Sequence, residues 1–102
     1  FFDGKATLVV GTHTHIPTND ARILEHGTAY QTDAGMCGDY DSVIGMDKKN
    51  SVNRFLKEKS TRHFPATGEA SLCGVIVECD EANGLAKNIK NFIYGGDLTN
   101  YL

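Results

Sequence analysis

The apolar positions of this chain fall in short runs divided by polar turns, and the spacing predicts a mostly β molecule with one helix. Ala6 to Gly11 is nearly continuous apolar sequence, the pattern of a strand covered on both faces. Ile16 to His26 is irregular, with Pro17, Thr18, Asn19 and Asp20 as turn formers. Thr28 to Asp33 reads as a second strand, because Tyr30 and Thr32 favour extended backbone, and it breaks at Gly35 and Gly38. Asp41 or Ser42 can cap a short turn through Val43 and Ile44 before Gly45. A helix is predicted from about Asn50 to Lys59, with Asn50 or Ser51 as N-cap and Val52, Phe55, Leu56 and Lys59 on one face. Ser71 to Cys79 is a β-branched strand whose Val75, Ile76 and Val77 are expected in the core. Asp80 to Gly84 is a turn with the hairpin signal Asn83-Gly84, and Ala86 to Tyr94 is the returning strand.

The chain has 102 residues, 40% apolar and 23% charged, with a net charge of −3. That length suits one domain with a small core. The mild acidity gives no electrostatic footprint for a nucleic-acid duplex or an anionic membrane. No apolar run reaches the length of a membrane span, and no signal-peptide pattern is present, so a cytoplasmic setting is expected. The chain starts at Phe1 almost directly with a strand and reads as a segment of a longer protein. Cys37, Cys73 and Cys79 are an odd count without a C-x-x-C pair. If their run is extended, Cys73 and Cys79 lie roughly 20 Å apart, beyond the about 7 Å that a disulfide tolerates between Cα atoms. Three reduced thiols are expected, with Cys73 and Cys79 as small core residues and Cys37 exposed.

The chemistry concentrates in Leu8-Val9-Val10-Gly11-Thr12-His13-Thr14-His15. On a strand, positions i and i+2 share a face, so His13 and His15 would project together, roughly 6.5–7 Å apart at Cα. That span lets each imidazole bind one ion of a metal pair spaced about 3.5–4 Å, or both grip one ion. Taken alone, such a pair is more often two polar residues on a wet strand face. Asp33, ending the second strand, can orient a ligand histidine through its free ring N–H or cap the glycine turn that follows. Asn19, Asp20 and Arg22 can border a substrate, with Arg22 matching a phosphate through its planar fork; an Asp20–Arg22 surface pair is an equally simple account. His26 and His63 read as solvated, as do Glu78 and Asp80. Thr12 and Thr14 alternate to the other face.

Gly11-Thr12-His13-Thr14-His15-Ile16-Pro17-Thr18-Asn19-Asp20-Ala21-Arg22-Ile23-Leu24, then Gly27 to Met36, Tyr40 to Met46 and Gly68 to Glu78, resembles the YmdB-like bacterial metallophosphoesterases of the calcineurin-like superfamily. The resemblance runs over roughly the first 90 residues and covers only the C-terminal part of that family's chain. It implies an α/β fold: residues 1–102 as the strand-rich C-terminal segment, with one clear helix, of a single α/β-sandwich domain. It also implies two divalent ions (iron, manganese or zinc) and phosphodiesterase activity on 2′,3′- or 3′,5′-cyclic nucleotides. By the G-T-H-T-H match, His13 and His15 carry over as metal ligands. The other ligands and the histidine that protonates the leaving oxygen lie upstream in the family, so this segment alone is expected to have little or no activity. The partner implied is a small cyclic nucleotide or phosphodiester, and a homo-oligomer is expected. Cys37-Gly38-Asp39-Tyr40 departs from the threonine, glycine and proline usual there, and Gly95 to Leu102 runs past the family's usual end. A cupin would need a glutamate sooner than Glu25, and an amidohydrolase barrel needs about 250 residues. The rival of another class is a nonenzymatic, β-rich fragment that self-associates through an open sheet edge or an apolar face.

Overall fold

A computed structural model describes residues 1–57 and 62–102. Its elements are β1 (Leu8–Val10), β2 (Arg22–Ile23), β3 (Ala29–Gln31), α1 (Lys48–Leu56), β4 (Leu72–Cys79) and β5 (Ala86–Tyr94). β3 is the middle strand of a three-stranded sheet ordered β1-β3-β2. It runs parallel to β1, with Val9 opposite Tyr30, and antiparallel to β2, with Ile23 opposite Ala29. A parallel pair needs a long crossover. Here residues 11–28 make it, and they carry His13, His15 and β2.

The central position of β3 explains why its inward side chains are the most enclosed. Thr28, Ala29 and Gln31 have no exposed surface. The expected strand over Ala6 to Gly11 is shorter and only partly covered. β1 holds three residues, and Val10 is 40% exposed.

β4 and β5 form an antiparallel hairpin with Val75 opposite Asn91 and an irregularity between Glu78 and Cys79. The predicted bounds of β5 hold, and β4 begins one residue late. Its tip docks on the sheet: Ala86 N donates to the Gly27 carbonyl (2.8 Å), and the Thr7 hydroxyl donates to the Gly84 carbonyl. At its base, Gly38 and Ser71 exchange backbone hydrogen bonds. The tail folds back so that Tyr101 pairs with Ile93.

α1 starts three residues before the predicted N-cap region ends, at Lys48. Asp47 is the N-cap, its carboxylate accepting from Asn50 N at 2.8 Å, and Lys57 ends the helix in the left-handed region. The predicted Lys59 lies outside the described residues. Two core expectations fail: Ile76 is 57% exposed, and Cys79 is exposed while Cys73 is buried. Among the described residues, only Ala29 and Cys73 are buried apolar side chains. The radius of gyration is 17.3 Å, against about 13 Å for a compact domain of this length. This is a small mixed α/β structure whose apolar surface is largely uncovered.

Candidate metal centre

β1 and β3 continue to pair just past their ends, where Ala34 N donates to the Gly11 carbonyl at 3.0 Å. The chain then leaves the strand direction because a carboxylate captures it. Asp33 is 1% exposed and accepts from the backbone amides of His13, Thr14 (2.7 Å) and Gly35 (2.8 Å). Amides donating to a carboxylate favour its charged form. The Thr14 amide, joined by those of Gly35 and His13, holds the Asp33 carboxyl down at about 2 against the opposing effect of burial. His13 and His15 therefore sit in a loop, not on the predicted strand, and His15 takes φ 67°. Strand alternation does not apply to this loop, and Thr12 faces the same depression as the histidines.

That depression has a volume of about 210 Å³ and is lined by Thr12, His13, His15, Asp33, Gly35 and Met36. Both imidazoles are exposed. His15 Nδ1 lies 2.8 Å from the Ile44 carbonyl, an acceptor that suits a protonated Nδ1. The donor chemistry fits a metal ion, because two imidazoles, the commonest metal-ligating side chains, line one recess. Among the described residues, no group of three or more His, Cys, Asp or Glu side chains is placed to hold a metal. The pair thus offers two donors where a catalytic site typically has three protein ligands.

Of the two roles expected of Asp33, the structure shows the cap and not the ring contact. Its carboxylate grips backbone amides rather than a ring N–H, and through Gly35 it also caps the glycine turn. Asn19, Asp20 and Arg22 do not line the depression. Asp20 is enclosed by the Thr18 hydroxyl (2.6 Å) and by Thr32, which together hold its carboxyl at about 2. Arg22 donates to the Asp20 carbonyl at 2.9 Å and lies 4.9 Å over the Tyr30 ring, so its fork serves the sheet. Asn19 borders a separate recess of about 290 Å³ beside Asn91 and Asn100. His26 is exposed and bonds Asp3 at 2.9 Å.

Sequence reasoning missed Met36 and Ile44 at the site. Met36 follows Asp33 by three residues, a usable local cue, whereas the Ile44 carbonyl meets His15 across 29 residues. On the far side of the Val43–Met46 turn is an apolar groove of about 480 Å³, formed with Val52, Phe55 and Leu56 of α1.

A family model described as "YmdB-like protein" matches residues 1–92. The chain is 42% identical over 97 residues to the 2′,3′-cyclic-nucleotide 2′-phosphodiesterase of Bacillus subtilis, covering 95% of this chain and 37% of that protein. It is also 42% identical over 88 residues to a putative phosphatase/phosphodiesterase of Mycoplasma genitalium, covering 84% and 31%. Among solved structures it superposes on a hypothetical protein from Thermus thermophilus with a TM-score of 0.81, 38% identity, and coverage of 91% of this chain and 36% of that one. A structure titled as a novel phosphatase from Mycoplasma pneumoniae gives a TM-score of 0.82, 36% identity, and coverage of 91% and 34%. The chain spans about a third of the length of the curated relatives it matches.

Proposed function

The chain belongs to the YmdB-like protein family, and from that premise we propose that it supplies His13 and His15 as ligands to the two-metal centre of a phosphodiesterase acting on cyclic nucleotides. On this reading residues 1–102 are the C-terminal segment of one α/β-sandwich metallophosphoesterase domain. The observation that carries it is the pairing of both imidazoles on one recess, on a loop fixed by a buried carboxylate. The Bacillus relative's name points to a 2′,3′-cyclic phosphodiester as substrate.

Within this chain the division of labour is clear. Asp33 fixes the backbone at His13 and Thr14, so the loop that carries the two histidines is shaped before any ligand arrives. Divalent iron, manganese or zinc, when bound, supplies Lewis-acid neutralisation of charge on the phosphoryl oxygens. No side chain of this segment is assigned as general acid; His26 is engaged with Asp3. Arg22 is committed to Asp20 and Tyr30, so phosphate recognition is not assigned to it. The test is hydrolysis of 2′,3′-cyclic AMP by the intact protein with manganese present. His13→Ala and His15→Ala should each abolish turnover while leaving the circular dichroism spectrum unchanged. Full activity in both variants would sink the assignment.

A further inference from the structure

Three non-glycine residues among those described have positive φ: His15 at 67°, Ile44 at 49° and Lys57 at 58°. Lys57 is the ordinary left-handed end of α1. The other two are the partners of a single hydrogen bond, His15 Nδ1 to the Ile44 carbonyl at 2.8 Å. A β-branched residue is rarely found in this region, and such outliers persist only where the surroundings over-determine them.

Here the surroundings do so. Val43 and Met46 exchange backbone hydrogen bonds at 2.9 and 3.0 Å, closing a tight turn with Ile44 and Gly45 at its centre. Gly45, at φ 95°, receives no side chain easily, because a Cβ there would lie 3.0 Å from Met36 Sδ. The Ser42 hydroxyl accepts from Gly45 N at 2.8 Å and donates to the Asp39 carbonyl. Asp47 N, just beyond the turn, donates to the Phe64 carbonyl at 3.0 Å. The Ile44 carbonyl is thus held at a fixed point beside the recess, although the Ile44 side chain is itself 58% exposed.

We propose that the Val43–Met46 turn is a positioning device for His15: its Ile44 carbonyl locks the imidazole as the Nδ1–H tautomer and presents Nε2 to a metal ion. The inference rests on the metal-ligand reading above. A histidine ligand generally donates its other ring N–H to a carbonyl or carboxylate, which fixes tautomer and ring orientation. Asp33 fixes the backbone of the ligand loop, and the turn fixes the ring. His13, with no ring partner among the described residues, lacks the second constraint and is an internal control.

The test is long-range ¹H–¹⁵N correlation on the metal-stripped intact protein labelled with ¹⁵N-histidine, at pH 8, followed by titration with Zn²⁺. His15 should show a protonated Nδ1 and a bare Nε2, the tautomer that is minor for free histidine, while His13 shows the ordinary mixture. Gly45→Val, which disrupts the turn, should return His15 to the ordinary mixture and weaken Zn²⁺ binding about 10–100-fold. Ile44→Asn keeps the carbonyl and suits positive φ, so it should preserve both tautomer and affinity, and it guards against a general loss of fold. A protonated Nε2 at His15 in the parent protein overturns the proposal whatever the metal content. The expected tautomer with no Zn²⁺-induced shift at either histidine overturns the metal-ligand reading instead, and with it the purpose assigned to the turn.

Discussion

Near β3 the fully buried polar side chains are Thr28, Gln31 and Asp33, whereas α1 leaves Val52, Phe55 and Leu56 between 50% and 86% exposed. In the first region polar atoms are enclosed and mostly satisfied. Thr28 Oγ1 donates to the Ala6 carbonyl at 2.6 Å, Gln31 Nε2 to the Asp33 carbonyl at 2.8 Å, and Asp33 takes three amides. In the second region the helix depends on its ends. Asp47 caps one and Lys57 closes the other, while the apolar stripe stays largely uncovered among the described residues. Hydrogen bonds are directional and fix a geometry; an apolar stripe is tolerant and gains free energy only when it is covered. The histidine loop is therefore ordered by partners within this chain. The helix face is left uncovered by the described residues.

That contrast can be broken from the Asp33 side first. Asp33→Ala in the intact protein should lower metal affinity about 10–100-fold, measured by Zn²⁺ titration, without changing helical ellipticity. An unchanged affinity would show that the loop holds its shape without the carboxylate. Gly35→Ala should destabilise by about 1–3 kcal/mol in urea unfolding, because φ is 87° and a Cβ would lie 2.7 Å from the Pro17 ring.

Asp47→Ala, on the helix side, should cost about 1 kcal/mol and reduce helical signal while leaving the amide resonances of the Asp33 partners in place. Phe55→Ser should change stability by no more than about 0.5 kcal/mol in this segment, since Phe55 is 86% exposed. If copies of the chain meet at the helix face, the same substitution should shift sedimentation toward smaller species.

Acid distinguishes the regions as well. The folded carboxyls of Asp33 and Asp20 sit at about 2, below the ordinary aspartate value of 3.8. A depressed carboxylate binds fewer protons folded than unfolded, so its stabilisation is complete above the unfolded value and is lost as pH falls through the folded one. Amide resonances of His13, Thr14 and Thr32 should therefore hold above about pH 4 and change progressively toward pH 2. An Asp33→Asn variant should lose the His13 and Thr14 part of that response.

Much of this architecture is legible in the sequence because local pattern determines it. Asn83-Gly84, the β-branched run before it and the returning run after it mark the β4–β5 hairpin, and the Val52–Phe55–Leu56 spacing marks the helix. Pattern alone puts the helix start at Asn50 because Lys48 and Lys49 hide the onset, although Asp47 is a favoured cap residue. β2 is two residues long and exists only because Arg22 and Ile23 find the free edge of β3. The ligand loop reads as strand for a similar reason. The amides of His13 and Thr14 are taken by a carboxylate about 20 residues away, and no local periodicity carries that information. Periodicity also cannot tell which side of a hairpin is covered, so it places Ile76 and Cys79 inside. The identity of His13 and His15 as candidates comes from the G-T-H-T-H match, and their shared recess is what the structure adds.

Metal content of the purified intact protein, measured by elemental analysis beside a His13→Ala/His15→Ala variant, addresses the central claim most directly. The parent protein should hold near-stoichiometric iron, manganese or zinc, and the variant should lose it. Equal metal content in both proteins would contradict that claim.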